Sequence, residues 1–142
     1  MIDRARVTGA VQALVAAATG KPCGRGRLPL VAGKPAPLPY TVLYPHGGLV
    51  GGAPLADQAE DAQLVYQVTV VAERTDQAEW LTDRVRHSLL GRTPAGEWVH
   101  PLVAEGADVW ARELLLDDGV SGQEGSEVVT GVQQYGLSVT ST

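Results

Sequence analysis

Phenylalanine is absent from this chain, methionine occurs only at Met1, and cysteine only at Cys23. The core must therefore be built from Val, Leu and Ala, helped by four Tyr and three Trp. A single cysteine excludes an internal disulfide. Cys23 lies in a Gly-rich stretch with no His or second Cys beside it, which reads as a bystander thiol and not a nucleophile. No stretch approaches the roughly 18 consecutive apolar residues of a membrane-spanning helix, so no membrane partner is expected. The apolar run Ala13 to Ala18 is short, mostly alanine, and follows a turn carrying both charge signs, which is not a secretory pattern. The chain is expected to stay where it is made. Cations are outnumbered, 11 against 16 acidic residues. An acidic chain repels phosphate backbones, so nucleic-acid recognition is disfavoured. Arg25, Arg27 and Lys34 are spread among Gly and Pro without aromatics and read as a solvated loop.

What is present fits one domain, residues 1–142. Asp3 to Thr19 is expected to be a helix. Val7, Ala10, Val11, Leu14, Ala17 and Ala18 form its apolar stripe, with Arg4, Thr8 and Gln12 opposite. Asp3 can cap its start, Gly20 can take the left-handed position after it, and Pro22 forbids continuation. Lys21 to Pro39 is broken by prolines and glycines, with a short strand conceivable at Leu28 to Val31. Tyr40 to Tyr44 is a strand signal. His46 to Asp61 reads as a long Gly-rich loop. Leu64 to Glu73 is the strongest strand, with Leu64, Tyr66, Val68 and Val70 on the buried side and Gln67, Thr69 and Glu73 on the wetter one. Asp76 to Leu90 is a second helix. Asp76 and Glu79 resemble a capping box, and Ala78, Leu81, Val85 and Leu89 form the stripe. Trp98 to Val103 and Val109 to Asp117 are expected strands, followed by a polar loop from Asp118 to Ser126. Val128 to Thr140 is the last strand, with Gly131 and Gly136 as bulge or bend points. The order α–β–β–α–β–β–β predicts an α+β fold: an antiparallel or mixed sheet with two helices on one face.

Motifs for chemistry do not assemble. A Walker A loop needs Gly-Lys-Ser/Thr, but Lys21 and Lys34 are each followed by Pro. The run Gly47 to Gly52 lacks the strand-to-helix context of a dinucleotide site. Ser121 has Gly119 before it but Gln123 where a hydrolase elbow needs Gly. His46, His87 and His100 are far apart in sequence, and only the fold could gather them around a metal. Asp117 and Asp118 are adjacent and would face opposite ways in a strand. With Glu124 and Glu127 they read as a solvated acidic surface, or as one complementary to a basic partner. No catalytic residue, metal site or cofactor is expected.

Two features suggest contact with other chains. The segment His46-Gly-Gly-Leu-Val-Gly-Gly-Ala-Pro-Leu55 is long for a connection between paired strands. Leu49, Val50 and Leu55 are costly to leave in water, so it either orders against a neighbouring subunit or folds back on its own sheet. Trp80 lies one step off the helix stripe, either at the core edge or in an interface, and Arg84 is placed to stack on it.

Together, PLPYTVLYPHGGLVGGAPL and VYQVTVVAERTDQAEWLTDRVRHSLLGR resemble the tail terminator and tail completion proteins of long-tailed bacteriophages of actinobacteria. The pattern is an extended strand, a Gly-rich loop, a Tyr-containing strand, and a helix opened by Gln-Ala and ending in Arg. It spans roughly Pro37 to Arg92. The resemblance implies a homo-oligomeric ring, usually a hexamer, that caps the tail tube at its head-proximal end and meets a neck or head-completion protein. It also implies assembly in the cytoplasm of a bacterial host. It carries over surfaces and no catalytic residues. His46, Gly47, Gly48, Leu49, Val50, Gly51 and Gly52 and the second helix, with Trp80, are the expected subunit contacts. The acidic Asp117, Asp118 and Glu124 and the basic Arg84, Arg86 and Arg92 would supply unlike faces to successive copies. A head–tail connector or head-closure protein is the runner-up. A small-molecule-binding domain, or an enzyme with a site gathered from distant residues, is the reading from another class.

Overall fold

The computed structural model describes residues 2–52, 60–122 and 127–142. Helix α1 spans Arg4–Thr19. The Asp3 carboxylate accepts from the N–H groups of Ala5 and Arg6, and Gly20 closes the helix at φ 72°. Val7, Val11 and Leu14 are buried as the stripe requires, while Ala17 is exposed and Val15 is fully buried. Thr8, expected on the solvent side, is buried. It gives its proton to the Arg4 carbonyl at 2.9 Å and meets the Tyr66 hydroxyl at 3.0 Å, so the tyrosine is the donor.

Three short strands follow: β1 (Cys23–Arg25), β2 (Leu30–Val31) and β3 (Lys34–Pro35). The long strands are β4 (Tyr40–Gly52) and β5 (Glu60–Ala72), then helix α2 (Thr75–Leu90), then β6 (Ala107–Ser121) and β7 (Val129–Ser141). The five-stranded sheet runs β1-β4-β5-β7-β6, and β2 pairs only with β3. β1 lies parallel to β4 and the other pairs are antiparallel, so the sheet is mixed. The fold is α+β, as expected.

One sheet face is the core face. Leu64, Tyr66, Val68 and Val70 point into it, opposite Leu137, Tyr135, Gln133 and Gly131 of β7. Both helices pack there. Tyr66 reaches α1 through Thr8, and Gly131 lets α2 approach so closely that an added Cβ would sit 2.8 Å from the Thr82 methyl. Gly131 and Gly136 are therefore sites of close approach and not bends. The pairing of β7 with β5 runs through both without a break. The irregularities fall instead in β6, at Val109/Ala111, Leu114/Leu116 and Asp117/Val120.

Four further expectations are corrected. The stretch 47–52 is not a loop: it continues β4 past a bulge between Pro45 and Gly47 and pairs with 60–65 of β5. Backbone pairing needs no side chains, and glycine permits a close fit, since a Cβ on Gly48 would land on the Gln63 carbonyl. Trp98 to Val103 is not a strand; only an isolated bridge joins Trp98 to Arg92. The polar loop expected from Asp118 starts later, because β6 continues to Ser121. At the start of α2 the cap position belongs to Arg74, without a side-chain cap bond. Gln77, not Asp76, reaches back, its Oε1 accepting from the Glu73 N–H at 3.0 Å.

Candidate functional site

The expected contact residues separate into distinct places. On α2, Trp80 is 44% exposed, so it stands at the surface, with the Arg84 guanidinium 5.3 Å from its ring centre. The spacing of four residues places both on one helix face. The Lys21 ammonium lies 6.0 Å from the same ring. Arg84 also donates to the Ala18 carbonyl at 3.3 Å, so it bridges the end of α1 to the middle of α2.

Beside this pair is a groove. One cavity of about 430 Å³ is bordered by Ala18, Trp80, Asp83, Arg84, His87 and His100. A second, of about 380 Å³, shares Ala18 and His100 and runs along the alanine side of α1 to Val103. Val103 is 80% exposed, an unusual state for a valine at a cavity rim. The fold brings His87 and His100 together edge to face, with ring centres 6.1 Å apart. Among the described residues no group of three His, Cys, Asp or Glu side chains could hold a metal ion.

Arg92 does not join Trp80. Its guanidinium lies 3.8 Å from the Trp98 ring centre, and it donates to the Gly96 carbonyl at 2.7 Å. Arg112 packs on the same indole at 4.5 Å and is buried. Its Nη1 donates to the carbonyls of Leu89 (3.1 Å) and His100 (2.9 Å). Burial, and then the charge of Arg92, lower its pKa. Nothing in the sequence singled out Arg112, because a lone Arg in a strand usually points to water.

The acidic residues Asp117, Asp118 and Glu127 are exposed. Asp117 accepts from Gln133 Nε2 at 3.2 Å and from the Gly119 N–H at 2.8 Å. Gln133 in turn accepts from the Tyr135 hydroxyl at 2.7 Å, making a short polar chain from the core outward. Burial raises the Tyr135 pKa, the Asp117 charge raises it further, and Arg86 lowers it. Asp118 is exposed in β6, and Glu124 lies outside the described residues. His46 is exposed at the β4 bulge. Gly47 to Gly52 lie in β4, and Leu55 is outside the described residues.

The opposite sheet face was not anticipated as a site. Trp110 stands 62% exposed there, its indole N–H donating to Thr140 Oγ1 at 3.1 Å. Thr140 passes its proton to Asp61 at 2.8 Å. A cavity of about 320 Å³ lies among Trp110, Asp61, Gln63, Ser138 and Thr140. Leu115 and Leu116 are also exposed on this side, at 47% and 42%. The unpatterned apolar triplet Leu114-Leu115-Leu116 was the available signal, hidden because a bulge breaks its alternation.

No family model matches the chain, and no curated protein matches it. A solved structure is similar in fold: a chain from the virion of a native gene transfer agent particle, superposing over 94% of this chain and 93% of its own with a TM-score of 0.60 at 17% identity.

Proposed function

We propose that this chain is a structural protein of a phage-like virion, acting by contact and not by catalysis. The observation that carries this reading is the shared fold with a chain of a gene transfer agent virion, spanning nearly all of both molecules. The exposed Trp80, Trp110 and Val103 support it, since large apolar side chains at a surface favour protein partners. Within that class we favour a tail terminator: a closed ring of identical copies, hexameric by resemblance, seated on the head-proximal end of the tail tube and meeting a neck protein. A ring of this kind needs two different faces on each copy, and this molecule has a helical side and an open sheet side. The particle would be assembled in the cytoplasm of a bacterial host.

The test is to mix the purified chain with tail tubes and, separately, with head-completion protein, and to image by negative stain. Six-fold rings at one tube end support the terminator. Rings that bind only the head-completion protein favour the connector reading. A chain that binds neither, and remains single at all concentrations, removes the proposal.

A further inference from the structure

Charge is divided unevenly between the two sides of the molecule. Among the described residues, the long strands β4 to β7 contain one Lys or Arg, Arg112, and it is buried on the helix side. The open sheet face therefore carries no Lys or Arg from these strands. It does carry carboxylates, at Asp61, Asp108 and Glu113, whose strand partners Thr140 and Gly136 fix them on that side. Between them stand Trp110, Leu115 and Leu116. Gly136 makes room for this ridge, since an added Cβ would lie 3.2 Å from Leu115 and 3.4 Å from Glu113. The helical side differs. Its groove has an apolar floor along α1, from Ala10 to Ala17, and a rim with Arg84 and Asp83, while the Lys21 ammonium lies nearby, 6.0 Å from the Trp80 ring centre.

We infer that the open sheet face around Trp110, Leu115 and Asp61 docks into the groove beside Trp80 and Arg84 of a second copy of this chain. The inference rests on the oligomeric reading above and names its contact. Two open faces brought together would oppose carboxylate to carboxylate, so like-to-like pairing is disfavoured. An open face against a groove sets its carboxylates near Arg84 and Lys21, and an apolar ridge against an apolar floor. The Trp110 N–H is already taken by Thr140, so its ring offers a π face, which suits a guanidinium. Each copy then uses one face forward and the other backward, the geometry that closes into a ring when the rotation allows.

The test uses the full chain in sedimentation velocity. Trp110→Glu disables the open face and Arg84→Glu disables the groove. Both side chains are exposed, and thermal melts confirm that the variants fold. The wild type is expected to associate with rising concentration. Each variant alone should associate about thirtyfold more weakly or worse, as for a central interface residue. An equimolar mixture should form dimers and stop there, because the intact face of each variant meets the intact face of the other. Wild-type association that both variants leave unchanged would place the contact elsewhere and leave the ring reading standing. Loss in only one variant would show like-to-like pairing, and loss in both without dimers in the mixture would show that the two faces do not meet each other; either result overturns the inference. A wild type that stays monomeric throughout would overturn the inference and the ring together.

Discussion

Replacing Arg112 by Met should loosen one corner of the molecule by a calculable amount. The guanidinium donates to two carbonyls, one at the last turn of α2 and one at His100, and rests on the Trp98 ring. Among the described residues no carboxylate pairs with it, and its Nε has no partner. Three weaker compensations hold the charge: the carbonyls, the indole face, and the negative end of the α2 dipole. Methionine relieves the cost of burying a cation, which favours the variant. It also strands the carbonyls, at about 1–3 kcal/mol for each one denied water. The Leu89 carbonyl bond is buried and the His100 bond only partly so. The second loss dominates, and the net expectation is a destabilisation of about 2–3 kcal/mol. That corresponds to a fall in Tm of roughly 10 °C for a domain of this size. Arg112→Lys keeps the charge without the planar fork and should lose about half as much. Urea denaturation reads the magnitude. Hydrogen exchange reads the place: the Gly91 and Val99 amides, bonded at 2.8 and 2.9 Å, should open first. A methionine variant as stable as the wild type would refute the reasoning, because the relief of desolvation would then have outweighed both bonds.

Other outcomes follow from the same geometry. Gly131→Ala sets a Cβ 2.8 Å from the Thr82 methyl and should cost about 1–3 kcal/mol in chemical denaturation, with Thr82→Ser in the same chain recovering most of it. Burial raises the pKa of Tyr66 and Tyr135, so each stays neutral in the fold where the unfolded chain would ionise. The stability this contributes is complete below about pH 10 and is lost as pH rises toward the folded values. Absorbance at 295 nm should show that these two of the four tyrosines titrate only as the protein unfolds. Cys23 is buried and its thiol pKa is raised by desolvation, so iodoacetamide should label it at the rate of opening and not at the rate of a free thiol. Gly48→Ala should disrupt the β4–β5 pairing, because the Gln63 backbone is in the way, and should show as lost amide protection at 62–65.

The helices and the strand β5 were legible because their side chains carry the period that packing selects. Leu64, Tyr66, Val68 and Val70 alternate in sequence and are buried in the structure. The far half of β4 was not legible, because glycines carry no period and its partner lies across a hairpin. Trp98 to Val103 has the residues of a strand, but the segment is fixed by Arg112, a residue later in the chain. Of the candidate site, the stacking of Arg84 on Trp80 followed from spacing alone. Trp110 was missed because a bulged strand scrambles the alternation that would have marked it exposed.

The register breaks along β6 bear on how copies can and cannot join. β6 is the terminal strand of the sheet on its side, so among the described residues no strand pairs along its free margin. Three kinks in fifteen residues spoil the straight row of donors and acceptors that an incoming strand would need. Edge-to-edge addition of another sheet, the route to fibres, is therefore discouraged at that margin.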